Sequence, residues 1–172
     1  MSRSAYVILV LLLGVLTALP AVSVDTALPA LPQIAKSLGA DPSSIQLTLA
    51  AYFYGAAAGQ LILAPLSDRF GRKPALYGGL AIYGVGGLGS YYATSVEMLC
   101  LLRFVQGTAT YAGRIIPRAM VRDLYDREEA ARLISYMMMI GGIAPIIAPL
   151  AGAYFSSLFG WRAVFAVMVV FG

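Results

Sequence analysis

Long runs of apolar residues, separated by short polar segments, dominate the chain. A helix that crosses a bilayer needs about 20 consecutive, mostly apolar residues. The pattern predicts spans over residues 5–31, 45–66, 74–93, 98–117 and 133–155, and a shorter last stretch over 162–172. Pro20 interrupts the first span. The last stretch, about 15 Å long as a helix, is shorter than a hydrocarbon core of roughly 30 Å, so we expect a truncated piece of a longer chain.

Composition excludes a soluble globule. Hydrophobic residues make up 60% of the 172 residues, charged residues make up 12%, and the mean hydropathy is +0.80. A soluble domain carries roughly 25% charged residues, so this chain lacks the polar surface that a soluble fold needs. A cleaved signal peptide is an alternative for the first span alone, with Ala21 and Ser23 as the small residues of a cleavage site.

Basic residues are concentrated in the loops on one side of the predicted bundle. Those on that side are Arg3, Arg69, Arg72, Lys73, Arg118, Arg122, Arg127 and Arg132, against Lys36 and Arg162 on the other. This asymmetry predicts a multi-pass protein of the bacterial inner membrane with a cytoplasmic N-terminus. The net charge of +4 does not indicate nucleic-acid binding, because the basic residues lie in short loops between apolar runs.

The residue inventory limits the chemistry. Histidine is absent and Cys100 is the only cysteine, so we expect no metal site and no disulfide within the chain, and a proton carrier must be a carboxylate. The sequence shows no catalytic constellation and no phosphate loop of the G-x-x-x-x-G-K type. We therefore expect neither an enzyme nor a bound cofactor.

Asp25 and Arg103 are charged residues inside predicted spans, where each costs several kcal/mol unless it is paired or faces water. Asp25 lies toward the outer end of the first span, and Arg103 lies about 9 Å from the outer end of the fourth. Their similar depth makes an ion pair between them plausible. Alternatively, Asp25 caps a helix break before Pro29 and Pro32, or marks the edge of the outer interface.

The fourth span has a polar stripe. At 100° per residue, one face carries Arg103, Gly107, Thr110 and Arg114, with Gln106 about 60° away. Such a stripe is typical of a helix that lines a water-filled cavity. For Arg114 and Arg118 the alternative is that both side chains extend to the cytoplasmic headgroups.

The loop after the second span carries a recognisable motif. The segment from Ala64 to Leu76, APLSDRFGRKPAL, resembles motif A of the major facilitator superfamily, with alanine in place of the leading glycine. In that family the loop braces the two halves and controls their rocking. The resemblance therefore implies a gating role for Asp68, Arg69, Gly71, Arg72 and Lys73.

Further segments resemble other motifs of the same family. The segment LCLLRFVQG ending at Gly107 is similar to motif B, whose arginine, here Arg103, is associated with proton transfer. The segment DTALPALP starting at Asp25 resembles the first-helix motif of drug–proton antiporters. The fifth span resembles antiporter motif C, in which the bending and close-packing residues are Gly141, Pro145, Pro149 and Gly152. The doubled Ala-Pro pattern is similar to the bicyclomycin/chloramphenicol-resistance branch.

These resemblances imply an all-α membrane protein, namely the N-terminal six-helix half of a twelve-helix transporter, built from two three-helix repeats with the sixth helix truncated. The implied function is proton-driven efflux of drugs or small amphipathic compounds by alternating access, with the proton gradient as energy source and a missing C-terminal half as partner. Asp25 and Arg103 would form the coupling site. Candidates for the substrate cavity are Tyr52, Tyr54, Gln106, Thr110, Tyr111 and Met138.

Two other functions stay open at this level. The same fold can carry a sugar, a nucleoside or another metabolite, and a six-helix half can also serve as a non-transporting assembly or sensory subunit.

Overall fold

Helices account for nearly all of the chain. The computed structural model describes residues 3–172, with side chains from Tyr6 onward, so the side chain of Arg3 lies outside the described residues. The helices are α1 (Arg3–Thr17), α2 (Leu19–Asp25), α3 (Leu31–Leu38), α4 (Pro42–Phe70), α5 (Arg72–Tyr91), α6 (Val96–Leu124), α7 (Arg127–Phe159) and α8 (Arg162–Phe171). A 3₁₀ turn over Leu28–Ala30 joins α2 to α3. The described residues form no strand.

The first predicted span is broken. Its first helix ends at Thr17, and Pro20 lies in the first turn of α2, where its missing amide costs nothing. The chain bends by 40° at this break. A second irregular segment follows α2, and the polar stretch after it is helical as α3, which ends at Gly39 with φ of 61°. The first span is therefore divided into helical segments, and backbone groups at their ends lack their regular helical partners.

By length and composition α4 and α7 can each cross a membrane, and the bent pair α1 with α2–α3 can do so as one broken span. α5 and α6 coincide with predicted spans but are less apolar, because α5 is rich in glycine and α6 contains several arginines. In α6 the polar side chains of Arg103, Gln106 and Thr110 are buried inside the bundle. Hydropathy alone therefore underestimates α6 as a membrane helix.

The helices pair in a repeated pattern. α4 runs parallel to α6, since Gly55 meets Phe104 and Gly59 meets Thr108. α7 runs parallel to the first span in the same way, since Gly14 meets Ile140 and Gly152 meets Thr26.

When the first three spans are superposed in order on the last three, the first span falls on α6, α4 on α7 and α5 on α8. The pair α4 with α6 then takes the place of the pair α7 with the first span. The remaining pair, α5 with α8, exchanges with itself. This is the packing expected of two three-helix repeats.

Close backbone contact holds α4 against α6. A Cβ added to Gly55 or Gly59 would collide with the carbonyl oxygen of Phe104 or Thr108, and one added to Gly107 would collide with that of Tyr52. Small residues allow this close approach, which increases the dispersion contact between the helices. Such contact matters in a bilayer because the hydrophobic effect does not drive helices together there. These two helices carry most of the polar residues described below.

We call the end of the bundle that holds Arg72, Arg122 and Arg127 the basic end, and the opposite end the far end. At the far end Arg162 donates hydrogen bonds to the carbonyls of Tyr91 (3.0 Å) and Ala93 (3.2 Å). These carbonyls follow the last turn of α5, where helical partners run out. The arginine therefore ties α8 to the end of α5.

Candidate functional site

Arg103 lies in the middle of the bundle and is 1% exposed. Its Nη1 donates to Oε1 of Gln106, one turn further along α6, at 2.8 Å. Its Nη2 donates to the backbone carbonyl of Ser23 in α2, also at 2.8 Å. The arginine is thus buried, and its hydrogen-bond acceptors, which include the sulfur of Met168, are all neutral.

The irregular segment after α2 explains why a backbone carbonyl is available. The amide of Ala27 donates to the carbonyl of Val24, three residues back. In a continuous α-helix that amide would donate to Ser23. The Ser23 carbonyl is therefore free to accept a hydrogen bond from the Arg103 guanidinium. The irregular segment after α2 thus creates the binding site for the charge on α6.

Aromatic and sulfur groups surround the remaining faces of the guanidinium. Its carbon lies 4.6 Å from the ring centroid of Tyr52 and 6.0 Å from that of Phe165, and Nη1 lies 3.8 Å from the sulfur of Met168. Ring faces attract a cation, and the attraction is stronger where water is absent. α2, α4, α6 and α8 all contribute to this environment.

A second layer fixes these groups. Ser23 donates its hydroxyl to the carbonyl of Leu19, so the hydroxyl of Tyr83 is the donor in its 2.7 Å hydrogen bond to Ser23 Oγ. The hydroxyl of Tyr52 donates to Thr110 Oγ1 at 3.1 Å. Sequence analysis missed Ser23 and Tyr83, because a serine or a tyrosine in an apolar span has no periodic signature.

Asp25 lies at the last residue of α2 and is partly exposed. Among the described residues, the ion pairs include neither Asp25 nor Arg103, so the direct pair expected between them is not formed. The alternative of a capping role is not found either, since the following 3₁₀ turn has no side-chain cap. Asp25 is nevertheless two residues from the carbonyl that binds Arg103.

A polar cavity of about 440 Å³ lies next to this cluster, between α2, α4 and α6. Three predicted cavity residues, Tyr52, Thr110 and Tyr111, line it, together with Gln60 and Arg114. The volume is in the range of sites for small organic ligands. The other predicted cavity residues lie elsewhere. Gln106 is fully buried on Arg103, and Tyr54 and Met138 are 72% and 58% exposed on the bundle surface.

The loop at the basic end is a charged cluster centred on Arg72. This arginine pairs with Asp68 in the preceding turn, donates to Ser67 Oγ at 2.9 Å, and donates through Nε to Asp123 at 3.0 Å. Gly71 permits the sharp turn, because its φ of 95° is accessible mainly to glycine.

The other charges of motif A take no part in this cluster. Arg69 and Lys73 are exposed, and neither forms an ion pair with a described residue. Asp123 was missed as a member of the cluster, although it follows the fourth span on the same side of the bundle.

The motif C residues are divided between a packed face and an open one. Gly141 and Gly152 face the first span, where an added Cβ would meet Thr17 and the backbone of Thr26. Pro145 is exposed and Pro149 is partly exposed within a helix that continues from Arg127 to Phe159. An apolar cleft of about 260 Å³ separates the first span from Ala144, Ala148 and α8.

Comparison with known proteins identifies this arrangement. Residues 7–172 match the family model described as Major Facilitator Superfamily. The chain is 36% identical over 165 residues to a bicyclomycin resistance protein homolog of Haemophilus influenzae, covering 96% of this chain and 42% of the relative. It is 39% identical over 160 residues to a chloramphenicol resistance protein of Pseudomonas aeruginosa, covering 92% and 38%.

A multidrug resistance protein D of Escherichia coli is 29% identical over 170 residues, covering 99% of this chain and 43% of the relative. The chain thus spans well under half the length of the curated relatives it matches. The motifs in order, the two-repeat helical bundle and the family match over nearly the whole chain together show that the chain belongs to the major facilitator superfamily.

Proposed function

We propose that the transporter containing this chain expels drugs or other small amphipathic compounds across the bacterial inner membrane, in exchange for protons and by alternating access. The basic end faces the cytoplasm in this proposal. The relatives named for resistance to bicyclomycin and chloramphenicol support the substrate class. The main support for a coupling site is the buried Arg103, which has no described carboxylate partner and binds the broken first span two residues from Asp25.

The coupling step follows from electrostatics. An arginine buried without a counter-charge attracts an ionised carboxylate, and in this proposal that carboxylate is Asp25 at the end of α2. A proton arriving from outside neutralises Asp25 and removes this attraction. Because an irregular segment follows α2 directly after Asp25, the outer part of the first span can shift relative to α6 when the attraction changes. The bundle then favours the opposite opening.

The decisive experiment replaces Asp25 by asparagine in the complete transporter. Everted membrane vesicles are energised with a pH gradient, and uptake of radiolabelled chloramphenicol is measured with and without a protonophore. We expect Asp25→Asn to abolish the protonophore-sensitive accumulation while energy-independent exchange of chloramphenicol continues, because the permanently neutral side chain cannot carry a proton.

Asp41→Asn is the matched control. Asp41 is an exposed carboxylate at the far end that caps α4 through the amide of Ser43, and asparagine caps a helix equally well. This variant should accumulate chloramphenicol like the unaltered transporter. Unchanged gradient-driven accumulation in Asp25→Asn would remove Asp25 from coupling, and absence of any energised export of several antibiotics by the unaltered transporter would refute the efflux function.

A further inference from the structure

We infer that the cavity between α2, α4 and α6 binds the anionic group of its substrate through Arg114, so that small amphipathic acids are a preferred class of cargo. This inference rests on the proposed function and adds the charge of the substrate to it. It is drawn from the position of Arg114 in the membrane, its lack of a counter-charge and the groups around it.

The backbone of Arg114 lies well inside the membrane. α6 has 29 residues and is therefore about 43 Å long, which exceeds a hydrocarbon core of roughly 30 Å by about 13 Å. Arg114 precedes the end of α6 at Leu124 by about 15 Å. When the excess length is shared equally between the two ends, its Cα lies roughly 8 Å inside the core.

The side chain also starts in the direction of the cavity. Side chains of an α-helix lean toward its N-terminus, which for α6 is the far end. Arg114 lines the cavity together with Thr110 and Tyr111 of the preceding turn. Because a guanidinium at this depth must face water or an opposite charge, these positions favour the cavity over the headgroups at the basic end.

No carboxylate of the described residues serves this arginine. The ion pairs that they form do not include Arg114, and the cavity walls contain no acidic side chain. The carboxylate of Asp68, which lines the neighbouring pocket on the other side of Tyr111, is already paired with Arg72. Arg103 lies on the same face of α6, with its Cα about 16 Å from that of Arg114 along the helix, and adds a second positive charge.

The surroundings of Arg114 suit a carboxylate on an aromatic or aliphatic body. Gln60 on α4 lines the same cavity, and the helix register in which Gly59 meets Thr108 places its Cα about 7 Å nearer the far end than that of Arg114. The Arg114 side chain leans in that direction, so the Gln60 amide can donate a second hydrogen bond to the same ligand. An arginine binds a carboxylate through two parallel hydrogen bonds. The rings of Tyr52, Phe53 and Tyr111 supply the apolar contact for the rest of the molecule.

The test is a binding measurement on the complete transporter purified in detergent. Isothermal titration calorimetry compares 2-naphthoate with 2-naphthamide, which has the same size but no charge. We expect naphthoate to bind at least about tenfold more tightly, as a charge-assisted hydrogen bond replaces a neutral one. Arg114→Gln should lower the affinity for naphthoate to about that for naphthamide, and Arg114→Lys should restore part of the preference.

Arg132→Gln is the control, because Arg132 is an exposed arginine outside the cavity whose partner is Glu128 on the protein surface. It removes the same charge and should keep the preference for naphthoate. Equal affinities for the two probes in the unaltered protein would overturn the inference, and this is the result expected if a carboxylate outside this chain neutralises Arg114. A preference for naphthoate that survives Arg114→Gln would overturn it as well. Export of the neutral compound chloramphenicol in the vesicle assay tests the proposed function separately, so the two failures are distinguishable.

Discussion

The middle of the bundle and its basic end each hold an arginine that links distant segments, and the two arginines do so by different means. Arg103 is 1% exposed and bonds to a backbone carbonyl, an amide oxygen and aromatic faces. Arg72 lies in a short loop, where its side chain is 29% exposed and binds two carboxylates whose side chains are 64% and 52% exposed. Arg103 therefore keeps an uncompensated charge inside the protein, whereas the charge of Arg72 is balanced by two carboxylates that are in contact with solvent.

The difference follows from the cost of desolvation. A buried ion pair requires two charges to leave water, and their attraction often fails to repay that cost. Neutral acceptors and ring faces hold the Arg103 guanidinium without a second buried ion, so its charge still acts on any group that enters the site. Exposed ion pairs such as those of Arg72 are screened by salt and contribute little individually. The inner site suits electrostatic sensing, and the loop cluster suits a contact that opens and closes.

The largest expected effect comes from Arg103→Met. The change removes the cation and leaves the Ser23 carbonyl and the Gln106 amide without their donor, so we expect a loss of about 2–4 kcal/mol of stability and no energised chloramphenicol transport. Thermal unfolding of the complete transporter in detergent and vesicle uptake measure the two effects. Arg69→Met, at an exposed arginine of the basic end that contacts the ring of Phe70, is the control. A melting temperature equal to that of this control would contradict the importance of the buried network.

Tyr83→Phe should have an intermediate effect. It deletes one hydroxyl that donates to Ser23 in a fully buried position, which corresponds to about 1 kcal/mol. Because both groups are neutral, the loss in unfolding free energy should not change with salt concentration. Tyr77→Phe is the matched control, since Tyr77 lies on the same helix and is 68% exposed. A salt-dependent loss in Tyr83→Phe would mean that the network depends on charges outside it.

Asp123→Asn should have the smallest effect on stability. It weakens an exposed ion pair at the basic end, so we expect a loss of at most about 1 kcal/mol at low salt, decreasing as salt is added. Thermal unfolding at two salt concentrations measures it, and Glu128→Gln, at another exposed pair, gives the baseline. A loss as large as that of Arg103→Met, and insensitive to salt, would show that the buried site and the basic end are stabilised in the same way.

Sequence reasoning located the helices and the buried arginine, because hydrophobic runs and isolated charges are properties of single segments. It did not identify the acceptors of Arg103. The carbonyl of Ser23 becomes available through a local irregularity in the helix. Because every residue has a backbone carbonyl, no residue type in the sequence indicates which one is free. The same limit applies to Tyr83, whose role depends on the packing of α5 against α2.

Surface positions were the other source of error. Tyr54 and Met138 were assigned to the cavity because aromatic and methionine side chains suit apolar ligands, yet both are on the bundle surface. In a membrane protein, lipid-facing and ligand-facing positions have the same apolar composition. In contrast, Thr110 belongs to the predicted polar stripe of α6 and lines the cavity between α2, α4 and α6, since a polar side chain inside a span requires a polar surrounding.

The backbone contact between α4 and α6 has a consequence for how such a chain can diverge. Any replacement of Gly55, Gly59 or Gly107 adds an atom where a carbonyl oxygen of the other helix already lies. Substitutions at exposed leucines and isoleucines of α7, such as Ile146 and Leu150, meet no such obstacle, whereas at these three glycines any larger residue collides with the other helix. New cargo preferences must therefore arise from the neighbouring side chains of the cavity wall, while the distance between the two helices stays fixed.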